Sequence, residues 1–179
     1  MDELQRRLRL ESLFNAHAGA VRAYARRRID ADAADDTVSE VFAVAWRRLE
    51  DVPDDALPWL LGCARNVIAH QHRRGQRDVA LAGRLQAAVD RPVVATVRAD
   101  GDDRLGRALA QLSERDRELL MLIAWEGLQP AQAAQVLGCS RNALAVRLHR
   151  ARRRLATALR RAESIHCTAA TPRAAKETP

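Results

Sequence analysis

The chain reads PAQAAQVLGCSRNALAVRLHRARRRL from residue 130 to residue 155. Pro130 is placed to open a short helix, Gly138 to end it, and Ser140 to cap a longer basic helix. Ala134 is small at the point where two helices must approach closely. A short helix, a glycine turn and a basic helix are typical of a helix-turn-helix, whose second helix enters the DNA major groove. The stretch therefore predicts a helical DNA-binding unit.

The longer helix has an apolar side and a basic side. At about 100° per residue, its buried stripe consists of Leu144, Leu148, Ala151 and Leu155. The residues most nearly opposite are Asn142, Val146, His149 and Arg153, and the flanks carry Arg141, Arg147, Arg150, Arg152 and Arg154. We expect base edges to be read by Asn142, His149 and Arg150, and phosphates to be contacted by Arg152, Arg153 and Arg154.

The arginine-rich face has two interpretations, a solvated helix surface or a surface that meets an anion. Solvated helices normally interleave acids with bases, because i,i+4 ion pairs stabilise a helix and runs of like charge destabilise it. Residues 127–162 contain no Asp or Glu. We therefore interpret the face as one that binds a polyanion. An ordinary helical hairpin stays open as an alternative for the spacing.

The composition of the whole chain is typical of packed helices. Its 179 residues are 47% hydrophobic but only 3% aromatic, and Ala, Leu and Arg are abundant. Strands would require more Val, Ile, Tyr and Phe. The length suits one medium domain or two small ones. We predict an all-α protein. Residues 78–103 show no sustained apolar period, so we expect two small helical domains joined there by a flexible linker.

Charge is distributed in blocks along the chain. The formal net charge of +7 favours a phosphate polyanion as partner. Residues 58–77, like residues 127–162, contain no acid, whereas residues 30–55 carry nine Asp and Glu residues. The sequence thus separates two basic segments from one acidic segment.

The sequence favours a cytoplasmic protein without membrane insertion. The N-terminus, MDELQRRLRLE, lacks an apolar stretch of signal-peptide length, and the longest apolar run, residues 119–125, is too short to span a bilayer. The three cysteines, Cys63, Cys139 and Cys167, are far apart. This spacing fits a reducing compartment and indicates no disulfide framework.

Apolar periodicity predicts the remaining elements. We expect one helix or a helix pair over residues 4–28, a helix with an acidic first turn over 35–49, and a helix from Pro58 that ends in a basic cluster around Gly75. Ser113 to Asp116 resembles a capping box, with Asp in place of the usual Glu, before a helix that stops at Gly127. From Glu163 onward no apolar period continues, so we expect a disordered tail.

Three stretches, in this order, carry a family resemblance: DADAADDTVSEVFAVAWRRLE (30–50), ALPWLLGCARNVIAHQHRRGQR (56–77) and LAQLSERDRELLMLIAWEGLQPAQAAQVLGCSRNALAVRLHRARRRLATAL (109–159). Together the chain resembles an extracytoplasmic-function (ECF, group IV) sigma factor of bacterial RNA polymerase, in the sigma-70 family. The resemblance implies a four-helix region 2 domain over residues 8–77, a linker over 78–103 and a helix-turn-helix region 4 domain over 104–161, before the tail 162–179.

The resemblance also implies partners for individual residues. Region 4 would bind the promoter −35 element through Ser140, Arg141, Ala145, Arg147, His149 and Arg150, to which periodicity adds Asn142, Arg153 and Arg154. Region 2 would bind the −10 element through the loop holding Asp54 and Asp55 and through Asn66 and His70. We add five basic residues for the displaced strand: Arg65, His72, Arg73, Arg74 and Arg77. The implied contacts to core polymerase are Asp35, Asp36, Ser39, Glu40 and Ala43, with Trp46 in the protein core. Ser39 and Ala145 depart from the residues common in the family.

Other functions fit the sequence less well. A stand-alone helix-turn-helix regulator is the alternative, but Asp35 and Asp36 lie outside any strand-helix alternation typical of a phosphoacceptor domain. The sequence holds no Walker loop, no G-x-S-x-G and no cysteine pair with zinc spacing. We therefore expect no enzyme, no cofactor and no metal. The expected partners are core RNA polymerase, with its beta and beta-prime subunits, promoter DNA and an anti-sigma factor, which many relatives have.

Overall fold

The computed structural model describes residues 2–82 and 103–169, and every regular element in these ranges is helical. Seven α-helices follow one another: α1 (Glu3–Arg26), α2 (Ala31–Arg47), α3 (Ala56–Ala82), α4 (Asp103–Ala110), α5 (Glu114–Ala124), α6 (Pro130–Leu137) and α7 (Arg141–Ala169). A short 3-10 turn, Leu49–Asp51, lies between α2 and α3. The predicted all-α class is confirmed.

The N-terminal unit is a bundle of α1, α2 and α3. Its core includes the fully buried side chains of Val21, Tyr24, Val41 and Leu60. Asp30 caps α2, since its Oδ1 accepts a hydrogen bond of 2.9 Å from the backbone N–H of Ala33. Within residues 2–82 the structure has three α-helices, where the resemblance implied four, because α1 runs without interruption.

The C-terminal unit contains α4 to α7 and the predicted helix-turn-helix. Ser113 caps α5, and Gly127 follows that helix with a φ of +66°. Pro130 opens α6, and Gly138 ends it in the left-handed conformation that glycine adopts without steric cost. Ser140 Oγ then accepts a hydrogen bond of 3.2 Å from Ala143 N–H at the start of α7. The turn chemistry of the sequence is confirmed.

Two helices are longer than the sequence indicated. Helix α3 does not end in the basic cluster but continues through Gly75 to Ala82, because one interior glycine costs a helix only about 1 kcal/mol. Helix α7 continues past Glu163, where the disordered tail was predicted to begin, as far as Ala169. The rest of the predicted linker, 83–102, and of the tail, 170–179, lies outside the described residues.

The two units pack against each other, chiefly through α3 and α6. A Cβ added at Gly62 on α3 would lie 4.0 Å from the Cα of Val136 on α6, so the two backbones pass at close range. Buried apolar residues of both units form one continuous cluster. The structure is therefore a closed arrangement of the two units.

Candidate nucleic-acid interface

Helix α7 presents the face that the sequence predicted. Leu144, Leu148 and Ala151 are buried, and Leu155 is half-buried at the end of the stripe. Most of the predicted −35 positions are exposed together: Ser140, Arg141, Asn142, Ala145, His149, Arg150, Arg153 and Arg154, with Arg147 half-buried. Val146, which is 51% exposed, interrupts the polar face with an apolar contact point.

Arg154 has a partner within the protein that the sequence did not reveal. Its guanidinium donates to a carboxylate oxygen of Asp116, whose side chain is only 8% exposed. Ser113 Oγ accepts from the backbone N–H of Asp116 at 3.2 Å, so the first half of the predicted capping box forms. The reciprocal half does not form as predicted, because the Asp116 carboxylate turns toward Arg154.

Beside this ion pair an open groove of about 580 Å³ separates the α4–α5 turn from α7. Arg150, Arg153, Arg154 and Arg161 line the α7 side, and Asp116 is the acidic residue in the lining. A row of arginines along one helix edge suits contacts to a phosphate backbone. The groove thus extends the basic face beyond the helix-turn-helix itself.

The predicted polymerase-binding residues share one exposed face of α2. All five are exposed: Asp35, Asp36, Ser39, Glu40 and Ala43. Arg22 binds Asp35 at 2.7 Å, and Gln71 donates to Glu40 at 3.4 Å. Exposed pairs of this kind contribute only about 0–1 kcal/mol, so a partner can displace them easily. The acidic face is accessible.

Trp46 differs from its predicted place in the protein core. Its indole is half-buried, the guanidinium of Arg6 lies 4.9 Å from the ring centroid, and Phe14, 44% exposed, lines the same surface groove. Besides Trp46, the lining of this groove has two apolar residues, Leu10 and Phe14, and the others are charged. These two residues do not cover the indole, so one side of Trp46 stays at the surface. The prediction of a core tryptophan was wrong.

Some of the predicted −10 residues are exposed, and others bind side chains of the C-terminal unit. Asp54 lies exposed before α3, and Asn66, His70, Arg73 and Arg74 are exposed along that helix. Arg65 instead donates to Glu118 of α5 at 2.9 Å, and Asp55 accepts from Gln132 of α6 at 2.8 Å. Two of the predicted −10 contacts therefore take part in the contact between the units.

Comparison with known proteins agrees with these observations. The family model for sigma-70 region 2 matches residues 13–78, and that for sigma-70 region 4 matches residues 102–155. The ECF RNA polymerase sigma factor SigL of Mycobacterium tuberculosis is 31% identical over 163 residues, which cover 82% of this chain and 86% of SigL. The chain belongs to the ECF sigma factors of the sigma-70 family.

Two solved structures resemble this sigma factor over most of its length. The sigma factor RpoE from Bartonella quintana, in complex with the anti-sigma factor NepR, has a TM-score of 0.63 and 25% identity, covering 84% of this chain and 96% of RpoE. CnrH, in complex with the cytosolic domain of CnrY, has a TM-score of 0.58 and 26% identity, covering 84% of this chain and 86% of CnrH.

In this sigma factor a buried carboxylate joins the two units. Glu126 follows α5, and its side chain is 4% exposed. Its carboxylate accepts hydrogen bonds from Arg27 Nε, at 3.3 Å, and from Arg27 Nη2. Arg28 Nη1 lies 3.6 Å from Glu126 Oε1. Both arginines follow α1, and Arg27 is 99 positions from the glutamate along the chain. Sequence periodicity holds no signal for a pairing at that distance.

The described part of the sigma factor offers neither a membrane-spanning helix nor a metal-binding cluster. None of its helices in residues 2–82 and 103–169 has the length and apolarity required to cross a membrane. Over the same residues, no three His, Cys, Asp or Glu side chains are grouped so as to hold a metal ion. Cys63 is half-buried, and burial raises the pKa of its thiol, which disfavours the reactive thiolate.

Proposed function

We propose that this sigma factor directs promoter-specific initiation by holding core RNA polymerase on α2 and promoter DNA on α7 and α3. The observation that carries the proposal is the exposed face of α7, which contains arginines and neutral residues but no acid. Neutralising DNA phosphates releases condensed counterions, and this release drives affinity. In this proposal α7 lies in the major groove of the −35 element.

The acidic face of α2 is the proposed contact to the beta-prime and beta subunits of core polymerase. Its charge is opposite to that of α7, so one molecule keeps the protein-binding and DNA-binding surfaces electrostatically distinct. DNA phosphates would be repelled from Asp35 and Asp36. This separation supports a role that requires both partners at once.

Recognition of the −10 element by Arg65 and Asp55 requires the two units to separate. In the closed arrangement Glu118 holds Arg65 and Gln132 holds Asp55. Asn66 and His70, on the same helix, are already exposed. We propose that binding to polymerase replaces the contacts between the units with contacts to polymerase and DNA.

The remaining parts of the proposal follow from this role. The sigma factor acts by binding, not as an enzyme, and works in the cytoplasm where polymerase and promoters are. RpoE and CnrH were both solved with a partner, the anti-sigma factor NepR and the cytosolic domain of CnrY. We propose that this chain also has an anti-sigma partner, which would cover the acidic face of α2 or helix α1.

Reconstitution tests the proposed function. The full chain is mixed with bacterial core polymerase, without DNA, and complex formation is measured; the complex then transcribes a library of genomic fragments. We expect a stable complex and initiation at a small set of promoters. A stand-alone regulator would bind DNA without binding the core, and such a result would exclude the sigma-factor mechanism.

Arg153 and Arg154 offer a matched pair for the DNA-binding face. Arg153→Ala should make the slope of log affinity against log salt shallower by about 0.9, the loss of one phosphate contact. Arg154→Ala leaves the Asp116 carboxylate buried without its partner and should lower the free energy of unfolding by about 1–3 kcal/mol. Salt titrations of DNA binding and urea unfolding measure the two effects.

The two variants control for each other. Arg153→Ala should leave stability within about 0.5 kcal/mol of the parent, as usual for an exposed substitution. Arg154→Ala should change the salt slope less than Arg153→Ala does. Equal slope changes would contradict the assignment of Arg154 to Asp116 rather than to a phosphate.

A further inference from the structure

A cavity of about 140 Å³ lies between the region 2 and region 4 units. Tyr24 of α1, Arg28 just after α1 and His72 of α3 line it on one side, while Glu114 and Arg117 line it from α5. Neither unit encloses the cavity alone. It is separate from the predicted −35 face and from the acidic face of α2.

Three buried polar atoms in this lining have no hydrogen-bond partner among the residues that the structure describes: Tyr24 Oη, Arg28 Nη2 and His72 Nε2. Tyr24 is 0% exposed. Buried polar groups in native proteins are almost always satisfied, because an unmet donor costs free energy that water would otherwise supply. Three residues of one cavity lining carry such an atom, so an occupant that accepts hydrogen bonds would satisfy them.

The three atoms can all act as donors. Arg28 Nη2 is a donor only, and His72 Nε2 carries a proton in one tautomer. Burial raises the pKa of Tyr24, so its hydroxyl keeps its proton at neutral pH. Arg28 is fixed in place, since Nη1 donates to the Tyr24 carbonyl oxygen at 2.9 Å and its guanidinium lies 3.5 Å from the centroid of the tyrosine ring.

The charge of the lining is positive. Three arginines, Arg28, Arg65 and Arg117, face two glutamates, Glu114 and Glu118. Glu118 is bound to Arg65, whereas Arg117 donates to the neutral carbonyl oxygens of residues 109, 110 and 112. The adjoining Glu126 binds both Arg27 and Arg28, and counting Arg27 and Glu126 with the lining leaves an excess of one positive charge. A negative ligand would meet the excess charge.

We propose that this cavity binds a small oxyanion of the size of phosphate or sulfate. Water occupies about 30 Å³ per molecule in the liquid, so the cavity has room for about four or five waters or for one tetrahedral oxyanion. An oxyanion offers acceptors to all three unpaired donors and also neutralises the excess positive charge of the arginines. Water offers the acceptors but does not neutralise the charge. Because both units form the walls, the bound anion stabilises the closed arrangement by linkage. A stabilised closed arrangement would oppose promoter opening, and this consequence rests on the proposed function, in which the units must separate.

Binding of inorganic phosphate to the full chain tests the proposal. Calorimetry and thermal unfolding are followed at constant ionic strength up to about 20 mM phosphate, enough to occupy most of a site with a Kd of about 1 mM. We expect saturable binding and a rising Tm, with sulfate acting similarly and chloride or acetate weakly. Tyr24→Phe should weaken phosphate binding by about 3- to 10-fold, since it removes one hydrogen bond. His72→Gln keeps an N–H donor on a side chain of different shape and should weaken binding less than Tyr24→Phe does.

His70→Gln is the matched control, because His70 is exposed on the same helix and does not line the cavity. It should leave phosphate affinity unchanged. Tyr24→Phe should leave the phosphate-free protein at least as stable as the parent, which separates loss of a ligand contact from misfolding. Absence of saturable binding, or equal weakening in His70→Gln, would overturn the proposal and leave water as the occupant. Since neither DNA nor polymerase is present, failure here leaves the sigma-factor role untouched, and failure of reconstitution leaves the anion site untouched.

Discussion

Replacing Leu144 with alanine should lower the free energy of unfolding of the region 4 unit by about 2–5 kcal/mol. Leu144 is fully buried at the centre of the helix-turn-helix, where α7 meets the core. The substitution removes apolar contacts and leaves a cavity that the surrounding helices fill only in part. Because single domains are stable by about 5–15 kcal/mol in total, a loss of this size would also weaken DNA binding through partial unfolding.

Val146→Ala is the control for this prediction. Val146 lies two residues away on the same helix but is 51% exposed, so its substitution should change stability by about 0.5 kcal/mol or less. Urea unfolding, followed by circular dichroism, compares the two variants. A Leu144→Ala variant as stable as Val146→Ala would contradict the packing of α7.

Glu126→Gln should shift this sigma factor from the closed toward an open arrangement. Glutamine keeps the volume of the side chain but removes the charge that two arginines share in a nearly buried position. Removing one partner of a buried ion pair costs about 3–5 kcal/mol, which corresponds to about a 150- to 5,000-fold change in the closed-to-open ratio. Separation of the units returns Arg27 and Arg28 to water, so the open arrangement does not carry this cost.

Small-angle X-ray scattering measures this change as an increase in the radius of gyration. Glu3→Gln is the control: Glu3 binds Arg7 at 3.1 Å, but both side chains are more than half exposed, and such a pair contributes little. We expect the parent and Glu3→Gln to scatter alike. A Glu126→Gln variant that stays as small as the parent would show that the ion cluster does not hold the units together.

Local signals in the sequence predicted the helix-turn-helix well. Ser113, Pro130, Gly138 and Ser140 each act within one helical turn of themselves, and the structure places all four as caps or helix starts and ends. The buried stripe of α7 follows from its period alone. These features depend on neighbours in sequence, which periodicity and cap chemistry report directly.

Features that depend on distant neighbours were not predictable in this way. The spacing of Ser113 and Asp116 predicts a capping box, in which the Asp116 carboxylate would bind the start of α5. Arg154, 38 positions later, binds that carboxylate instead. Likewise, Arg65 was expected to face DNA and instead binds Glu118. A charged side chain carries no sequence signal for which opposite charge it will meet. The roles assigned to individual promoter and polymerase contacts stay predictions.

The closed arrangement exposes α7 while it engages Arg65 and Asp55 of the region 2 unit. Duplex DNA can therefore reach the first of these surfaces before the units part, whereas a separated strand can reach Arg65 only afterwards. Under the proposed function the molecule therefore orders its own contacts: Arg65 and Asp55 become available to a separated strand only after polymerase has displaced the contacts that Glu118 and Gln132 make in the closed arrangement.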